Sequence, residues 1–589
     1  MQEDAFVTHL FKGGKRYIPI VLLCLLPLFA LLEQTTYAHT FVVLNGRTQQ
    51  HTPQNTAVLT FHNDLFRSGQ NLNETILNTN NVNSRLFGKR VSYPVDGQIY
   101  TQPLFVPNVT IRGRTYNVVY IATENDSVYA FDADQRTATA PLWHTSFIHR
   151  PTITPVPPGN VYTNHRNQDI TPRIGITGTP VIDLDHGTLF VVAFTLEKGS
   201  PVQRLHGLDI TTGRDRPGSP VVIKASIKGR GYDSKNGQIS FRPDRGNQRA
   251  ALLLYRGVVY VCEAAFGDSD PYHGWILGYN ATTYRQVASA VYNDSPDGQK
   301  GGIWMSGAGP SVDNNGYMYI TTGNGDMNLN KGGRNAGDSI VKLDIKHALL
   351  VSDYFTPFNQ ACLDGRDDDL SSGGVLLLPY QQSSHPHVLV AIGKEGRVYV
   401  IEREHMGHFT ADPHLTCNTV EEKRVNVDKI LQELPPLTVG RLFGIPAYWS
   451  GVKNSSQFIY VGGFNDSLRA LPILRNGLLA SHSSSQSPEK FAFSGATPSI
   501  SSNGNIPGTG IVWVNSPSRC FSPGCNPQGS GVLRAYDATN LGRELYNSQQ
   551  NAARDRADSY VKFSVPTIAN GKVFVGTATR LDIYGLLTR

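Results

Sequence analysis

Four cationic residues and one tryptophan stand in similar positions along the chain, each a few residues before a short apolar segment. They are Arg173, Arg249, Trp304, Arg441 and Lys562. Guanidinium groups form paired hydrogen bonds with carboxylates, and an indole ring stacks on planar rings. If folding gathers these residues, we expect a site for a small anionic, planar or sugar ligand. The alternative is that they form ordinary loop contacts and ion pairs.

Two acids in comparable positions, Asp169 and Asp369, are the candidate catalytic residues. Asp369 ends the densest acidic cluster, DGRDDD, which begins at Asp364. Calcium favours oxygen-rich loops, but this spacing lacks the alternation of a calcium-binding loop. We therefore predict no metal site from the residues themselves. The sequence also lacks the G-x-S-x-G, P-loop and H-E-x-x-H motifs, so it does not indicate the enzyme classes that use them.

The elements that would position these residues form a repeat. A unit of three apolar strands separated by turns recurs eight times, from QPLFVPN, NVVYIATEN and DSVYAFDAD to VPTIANG, KVFVGTATR and LDIYGLL. Alternating apolar positions and Gly/Asn/Asp breaks mark each strand and turn. Helical periodicity is nearly absent, and only residues 425–434 favour a helix.

Repeated small sheets predict an all-β fold, an eight-bladed β-propeller of four-stranded antiparallel sheets over residues 58–589. The eighth unit has three strands, so we expect LFGKRVSYPV, residues 86–95, to complete it and close the ring. The candidate residues would then meet at the mouth of the central channel. His62, Asp64 and Arg67, in HNDLFRSGQN before the first unit, are expected to pin the N-terminal arm. Reaching the channel mouth is the alternative for this run.

Four acids recur at the ends of third strands: Asp132, Asp209, Asp344 and Asp537. Their shared position next to turns predicts that each side chain accepts hydrogen bonds from its own backbone. We therefore interpret them as turn caps rather than as catalytic groups.

Residues 1–38 have the pattern of a signal peptide. Basic residues precede an apolar run, and the segment ends at Ala38, a small residue of the kind that a signal peptidase recognises. An uncleaved membrane anchor is the alternative, and residues 39–57 would form a linker. We expect a secreted or cell-surface protein, in which Cys520 and Cys525 can form a disulfide. The formal charge of +6 is small and dispersed, which argues against a nucleic-acid partner.

The segments VYAFDADQRTATAPLW, LHGLDITTG and VLRAYDATN resemble the repeats of pyrroloquinoline-quinone (PQQ)-like propellers, including secreted bacterial members. That family contains quinoprotein alcohol dehydrogenases and also non-enzymatic assembly factors. The resemblance implies the propeller and makes PQQ and calcium candidate cofactors. However, the chain lacks the adjacent cysteines of the dehydrogenases and the C-x-x-C-H motif of a fused haem segment.

These departures favour a scaffold that binds a small ligand, a glycan or a protein partner. The alternative is a PQQ- and calcium-dependent oxidoreductase acting on alcohols or sugars.

Overall fold

The computed structural model describes residues 57–162, 169–452, 457–518 and 529–587. The predicted signal segment and the predicted Cys520–Cys525 disulfide lie outside these residues. None of the helices in the described ranges is long and apolar enough to cross a membrane.

The described chain forms an eight-bladed β-propeller of small antiparallel sheets, as predicted. Each blade is given from its inner strand outward. Blade 1 contains Leu104–Ile111, Arg114–Thr123, Ser127–Asp132 and Trp143–Ser146. Blade 2 contains Val181–Asp183, Thr188–Glu197, Ser200–Asp209 and Val221–Val222, with Ile153–Pro155 added. Blade 3 contains Leu253–Tyr255, Val258–Ala265, Trp275–Asn280 and Gln286–Asn293, with Gly246–Asn247 added.

The remaining blades follow the same plan. Blade 4 contains Ser311–Val312, Tyr317–Thr321, Ile340–Asp344 and Leu350–Thr356, with His408–Phe409 added. Blade 5 contains Val375–Leu377, Val388–Ile392, Val398–Glu402 and Gln432–Leu434. Blade 6 contains Ala447–Trp449, Gln457–Gly462, Ser467–Ile473 and Ser485–Lys490. Blade 7 contains Ser499–Ser501, Ile511–Pro517, Gly531–Asp537 and Asn540–Asn547.

Blade 8 combines the two ends of the described chain. Its strands are Thr567–Ala569, Lys572–Gly576, Arg580–Leu586 and, as the outer strand, Phe87–Pro94. Phe87–Pro94 pairs antiparallel with Arg580–Leu586, with Phe87 opposite Leu586 and Pro94 opposite Arg580. Backbone hydrogen bonds between residues distant in sequence thus complete this sheet.

The apolar core lies between the faces of neighbouring blades. One cluster joins Tyr93 of blade 8, Val119 of blade 1 and Leu189 of blade 2. Because each blade is covered on both faces, some strands are buried at every position, as in Ser127–Asp132 and Ile511–Pro517. This accounts for strands that read as almost continuous apolar runs rather than as a strict alternation.

Helices are few in the described ranges. They are the α-helices Gln360–Arg366 and Ala552–Asp555 and short 3-10 turns at Pro158–Asn160, Met305–Gly307, Leu329–Lys331, Ile345–His347 and Leu370–Ser372. The helix expected over residues 425–434 is wrong, since Gln432–Leu434 is the outer strand of blade 5. Tertiary pairing with Val398–Glu402 overrides the local helical preference there.

The four repeated acids are confirmed as turn caps. Asp132, Asp209, Asp344 and Asp537 each accept a hydrogen bond from the backbone N–H two residues ahead, over 2.8–2.9 Å. Satisfying these donors locally fixes the turn that follows each third strand.

The N-terminal segment Val58–Glu74, here called the channel segment, lies inside the ring. Hydrogen bonds join it to seven of the eight inner strands, through Phe105, Ile182, Val312, Leu377, Tyr448, Ile500 and Ile568. In blade 3, Leu253 shares an apolar cluster with Phe61 of the segment. A segment bonded to seven of the eight inner strands must lie near the ring axis, so the channel segment occupies the centre of the propeller.

Arg67 anchors the channel segment and is fully buried. Its guanidinium donates hydrogen bonds to Pro310 O at 3.0 Å, Thr60 Oγ1 at 2.7 Å and Phe61 O at 2.9 Å. Gly69 turns the segment with φ +72°, where a Cβ would lie 2.9 Å from the imidazole of His62. The run HNDLFRSGQN therefore pins the N-terminal arm, as expected, and does so at the axis.

One disulfide is present in the described residues, between Cys362 and Cys417. It links the helix Gln360–Arg366 to the loop that precedes the outer strand of blade 5. Arg366 of this helix also pairs with Glu422 of the same loop. The sequence did not indicate this pairing, because the two cysteines are 55 residues apart. Cys262 is a buried free thiol within the strand Val258–Ala265, where cysteine serves as a small apolar filler.

Candidate ligand site at the axial mouth

The loops that lead into the inner strands converge at one end of the ring, here called the mouth. Arg249, before blade 3, is at its centre. Its guanidinium donates to Thr177 O at 2.8 Å and to Ser306 O at 3.3 Å. The same group lies over the ring of Tyr100 at 5.7 Å and over the ring of Phe563 at 5.1 Å. These partners precede the inner strands of blades 2, 4, 1 and 8, so Arg249 bridges across the axis.

Arg249 carries a buried charge without a matching carboxylate. It is 4% exposed, and no Asp or Glu of the described residues lies within ion-pair distance of its guanidinium. Burial lowers the pKa of Arg249 to about 10, while Tyr100 opposes that shift. Even so, the guanidinium stays protonated at neutral pH. Buried charges are normally paired, so this group is suited to bind an anion that arrives from solution.

Lys562 adds a second cation beside Arg249. Its Nζ lies over the ring of Phe563 at 5.6 Å and 3.8 Å from the carboxylate of Asp169. Burial lowers the pKa of Lys562, Asp169 raises it and the charge of Arg249 lowers it further. Asp169 itself is 62% exposed at its side chain. Asp169 is therefore a weakly held, solvent-facing acid that pairs with Lys562 and leaves Arg249 without a carboxylate partner.

Trp304 contributes an aromatic face at the same mouth. It precedes the short turn Met305–Gly307, whose Ser306 carbonyl accepts from Arg249. The backbone N–H of Trp304 donates to Ser371 Oγ at 2.9 Å, which ties this loop to blade 5. The indole Nε1–H is buried and has no acceptor among the described residues. A buried donor without a partner is costly, and a ligand oxygen would satisfy it.

Asp369 lies beside this group, two residues before Ser371. Its carboxylate accepts from Lys394 Nζ at 2.5 Å and from the backbone N–H of Asn324 at 3.0 Å. Burial raises the pKa of Asp369, but Lys394 and Asn324 outweigh burial, and the net pKa is lowered. Asp369 is thus a buried carboxylate held ionised, with its position fixed by two donors.

A further acid, Asp268, belongs to the same electrostatic group. It accepts a hydrogen bond from Tyr272 Oη at 2.9 Å. Burial, followed by the negative charges of Asp369 and Asp367, raises the pKa of Asp268 to about 6. The mouth therefore holds one carboxyl that keeps its charge and another that exchanges a proton near neutral pH.

The structure brings together only part of the predicted site. Arg249, Lys562 and Trp304 lie around the axis. Arg173 instead donates to Asn125 Oδ1 at 2.6 Å. Arg441 pairs with Asp368 at 2.5 Å and is 45% exposed. The partners of these two arginines were not evident in the sequence, because they come from other loops.

Lys394 and Asn324 were missed as site residues. Both follow the second strand of a blade, in AIGKEG and TTGNGD, where the sequence suggests ordinary turns. The signal that could have identified Lys394 is a lysine at the end of an almost wholly apolar strand. A buried lysine generally has a buried acid as its partner.

Calcium does not fit the residues present. Among the described residues, no group of three or more Asp, Glu, His or Cys side chains is arranged to hold a metal ion. The ammonium of Lys394 contacts both Asp369 and Asp367. It already supplies the positive charge that a cation would bring to this cluster.

PQQ, in contrast, fits the chemistry of the donor set. It is planar and carries several carboxylates. Arg249 and Lys562 present cations for carboxylates, and Trp304 presents an aromatic ring and an unsatisfied donor. The fit rests on the types of these residues and on two unmatched groups, the charge of Arg249 and the indole N–H of Trp304.

Comparison with solved structures shows which fold the chain shares. Quinohemoprotein alcohol dehydrogenase ADHIIG from Pseudomonas putida HK5 matches at 13% identity and a TM-score of 0.53, over 91% of this chain and 81% of that chain. The quinohemoprotein alcohol dehydrogenase of Comamonas testosteroni matches at 12% identity and 0.53, over 90% and 80%. A europium-containing methanol dehydrogenase matches at 13% identity and 0.55, over 90% and 98%.

No protein-family model and no curated protein matches the chain. At such low identity the structural likeness shows the fold alone. The chain therefore shares its propeller fold with these solved structures.

Proposed function

We propose that the protein is a quinoprotein-type oxidoreductase that binds PQQ at the mouth and oxidises an alcohol or a sugar. The observation that carries this proposal is Arg249, a buried cation at the ring axis whose guanidinium has no carboxylate of the described residues within ion-pair distance. In support, the fold is shared with alcohol and methanol dehydrogenases.

Each residue of the mouth has a definite task in this proposal. Arg249 and Lys562 bind the carboxylates of the cofactor, and Trp304 stacks on its plane. When bound, the quinone accepts the electrons removed from the substrate. Asp369 accepts the hydroxyl proton of the substrate, and Lys394 keeps that carboxylate ionised and oriented. A general base needs such a fixed position within hydrogen-bond reach of its proton.

The proposed location is outside the cytosol. The Cys362–Cys417 disulfide supports it, because disulfides persist in oxidising compartments. The predicted signal segment at residues 1–38 supports it independently.

A second candidate function is ligand binding without chemistry. The observation that favours it is the mismatch with calcium at Asp369, where an ammonium occupies the acidic cluster. In that case the mouth holds a small anionic or planar ligand, and the propeller serves as a scaffold that presents it or recognises a protein partner.

A dye-linked assay on purified protein separates the two candidates. The full chain is incubated with PQQ, with and without calcium, and dye reduction is followed with primary alcohols and aldoses. The oxidoreductase proposal predicts dye reduction that Asp369→Asn abolishes and that Asp185→Asn, at an exposed acid in a turn of blade 2, retains. PQQ binding without dye reduction would support the scaffold. No PQQ binding would contradict the proposal.

A further inference from the structure

A hairpin outside the eight blades forms a second cleft. The strands Ser226–Lys228 and Gln238–Ser240 pair with each other between blades 2 and 3. With the loops around Asp297 and Gly332, this hairpin encloses a cleft of about 530 Å³. Ligand sites usually occupy about 300–1,000 Å³. The ring does not need this hairpin to close, and insertions of this kind often carry binding functions.

The cleft is held rigidly. The backbone N–H of Gly231 donates to Pro296 O at 3.0 Å, and that of Arg230 donates to Asp297 Oδ1 at 3.1 Å. Below the hairpin, Asp233 pairs with the buried His273 at 2.9 Å. A preformed wall lowers the entropy lost when a ligand binds. The geometry is therefore that of a built site rather than a loose loop.

The cleft carries an excess of positive charge. Asp297 is matched by Arg334, whose Nε and Nη2 lie 2.9 and 2.8 Å from its carboxylate. Arg230 is 89% exposed and only 3.9 Å from the same acid. Lys228 also lines the cleft and is exposed, and no side-chain partner for it occurs in the described residues. Two cations, Arg230 and Lys228, thus remain available to a ligand.

The neutral part of the lining suits a sugar. Asn236 and Gln238 present side-chain amides, which donate and accept hydrogen bonds as sugar hydroxyls require. Gly237 and Gly332 have open space where a Cβ would lie, which leaves room for a ring close to the backbone. Tyr232 on the same hairpin is 75% exposed and offers an aromatic face beside the cleft.

We propose that this hairpin cleft binds an acidic oligosaccharide, with Arg230 and Lys228 on its carboxylates and the amides on its hydroxyls. The proposal is independent of the mouth and of the function proposed for it. A propeller with both sites would hold a carboxylated polymer at its rim while the axial mouth acts separately.

Calorimetric titration of the full chain tests this proposal, with trigalacturonic acid as the probe and maltotriose as its neutral counterpart. We expect saturable binding of trigalacturonic acid, weakened by added salt, and no binding of maltotriose. The double variant Lys228→Gln/Arg230→Gln should bind at least about tenfold more weakly, because charge-assisted hydrogen bonds are lost. The double variant Lys198→Gln/Arg285→Gln, with exposed cations elsewhere, should bind as the wild type does.

Both variants change only exposed side chains, so retained folding is expected and is checked by thermal unfolding. Absence of saturable binding would overturn the proposal, as would equal binding by the two double variants. Equal binding of maltotriose would show that charge has no role. Tighter binding of an oligonucleotide of similar charge would assign the cleft to phosphate rather than to carboxylated sugar. PQQ binding at the mouth should be the same in both variants, which separates the two proposals.

Discussion

Arg67 fixes the channel segment at the axis, so replacing it with methionine should weaken the whole ring. Methionine keeps much of the aliphatic packing but removes three hydrogen bonds of 2.7–3.0 Å from a charged donor. Each such bond contributes about 1.5–3 kcal/mol. One guanidinium nitrogen, Nη2, lacks a partner, and burial lowers the pKa of Arg67 to about 10. The cost of burying this charge therefore offsets part of the stabilisation that the three hydrogen bonds provide.

The net loss expected for Arg67→Met is about 3–5 kcal/mol, because three charge-assisted hydrogen bonds are lost while the cost of burying the charge is relieved. That is a large fraction of the roughly 5–15 kcal/mol that stabilises a typical native protein. Urea unfolding followed by tryptophan fluorescence measures it. Arg85→Met, at an exposed arginine just after the channel segment, is the control and should change the midpoint little. If Arg67→Met unfolds at the same urea concentration as Arg85→Met, the channel segment does not hold the ring together.

Three further outcomes follow from buried groups. Cys362→Ser, which frees Cys417, should lower the free energy of unfolding by about 4 kcal/mol from loop-closure entropy, and a calorimetric midpoint equal to that of the wild type would contradict this. Burial raises the pKa of Glu263 to about 8, so the folded state retains a proton there that the unfolded state has lost, and stability falls as pH rises from 5 to 8. Glu263→Gln should remove about 1.4 kcal/mol per pH unit of that slope, and parallel urea midpoints for both proteins over this range would contradict it. Lys394→Met should destabilise the protein near neutral pH by leaving Asp369 charged and unpaired. The added change Asp369→Asn should restore part of the loss, and no recovery in the double variant would disprove the pairing.

The blades could be predicted from the sequence because each strand carries its own local signal. Apolar runs such as VVYVCEA and turn residues such as Asp132 act within a few positions of themselves. The eightfold recurrence then defines the ring, since each unit needs neighbours to cover both of its faces.

The centre of the molecule was much less predictable. The sequence predicts that the HNDLFRSGQN run pins the N-terminal arm, but it does not reveal that hydrogen bonds of the channel segment reach inner strands from Phe105 to Ile568. The Cys362–Cys417 disulfide and the Lys394–Asp369 pair likewise join different loops. Such contacts are set by the closed ring, and no local pattern encodes them.

The candidate site was predictable only in part, because contacts between different loops are not encoded in a local pattern. The rule that used position before an inner strand selected Arg249, Lys562 and Trp304, whose loops meet at the mouth. That rule does not reveal whether a cation already has a partner. Arg441 has Asp368, whereas Arg249 has backbone carbonyls and aromatic rings only.

Calorimetric titration of the purified chain with PQQ tests the central claim most directly, that the unmatched cation at the ring axis binds a planar carboxylated ligand. The account predicts saturable binding that Arg249→Gln weakens by at least about tenfold, with Lys562→Gln intermediate and Arg441→Gln unchanged. Circular dichroism of each variant verifies the fold. No binding by the wild type, or equal affinity in Arg249→Gln and Arg441→Gln, would contradict the account.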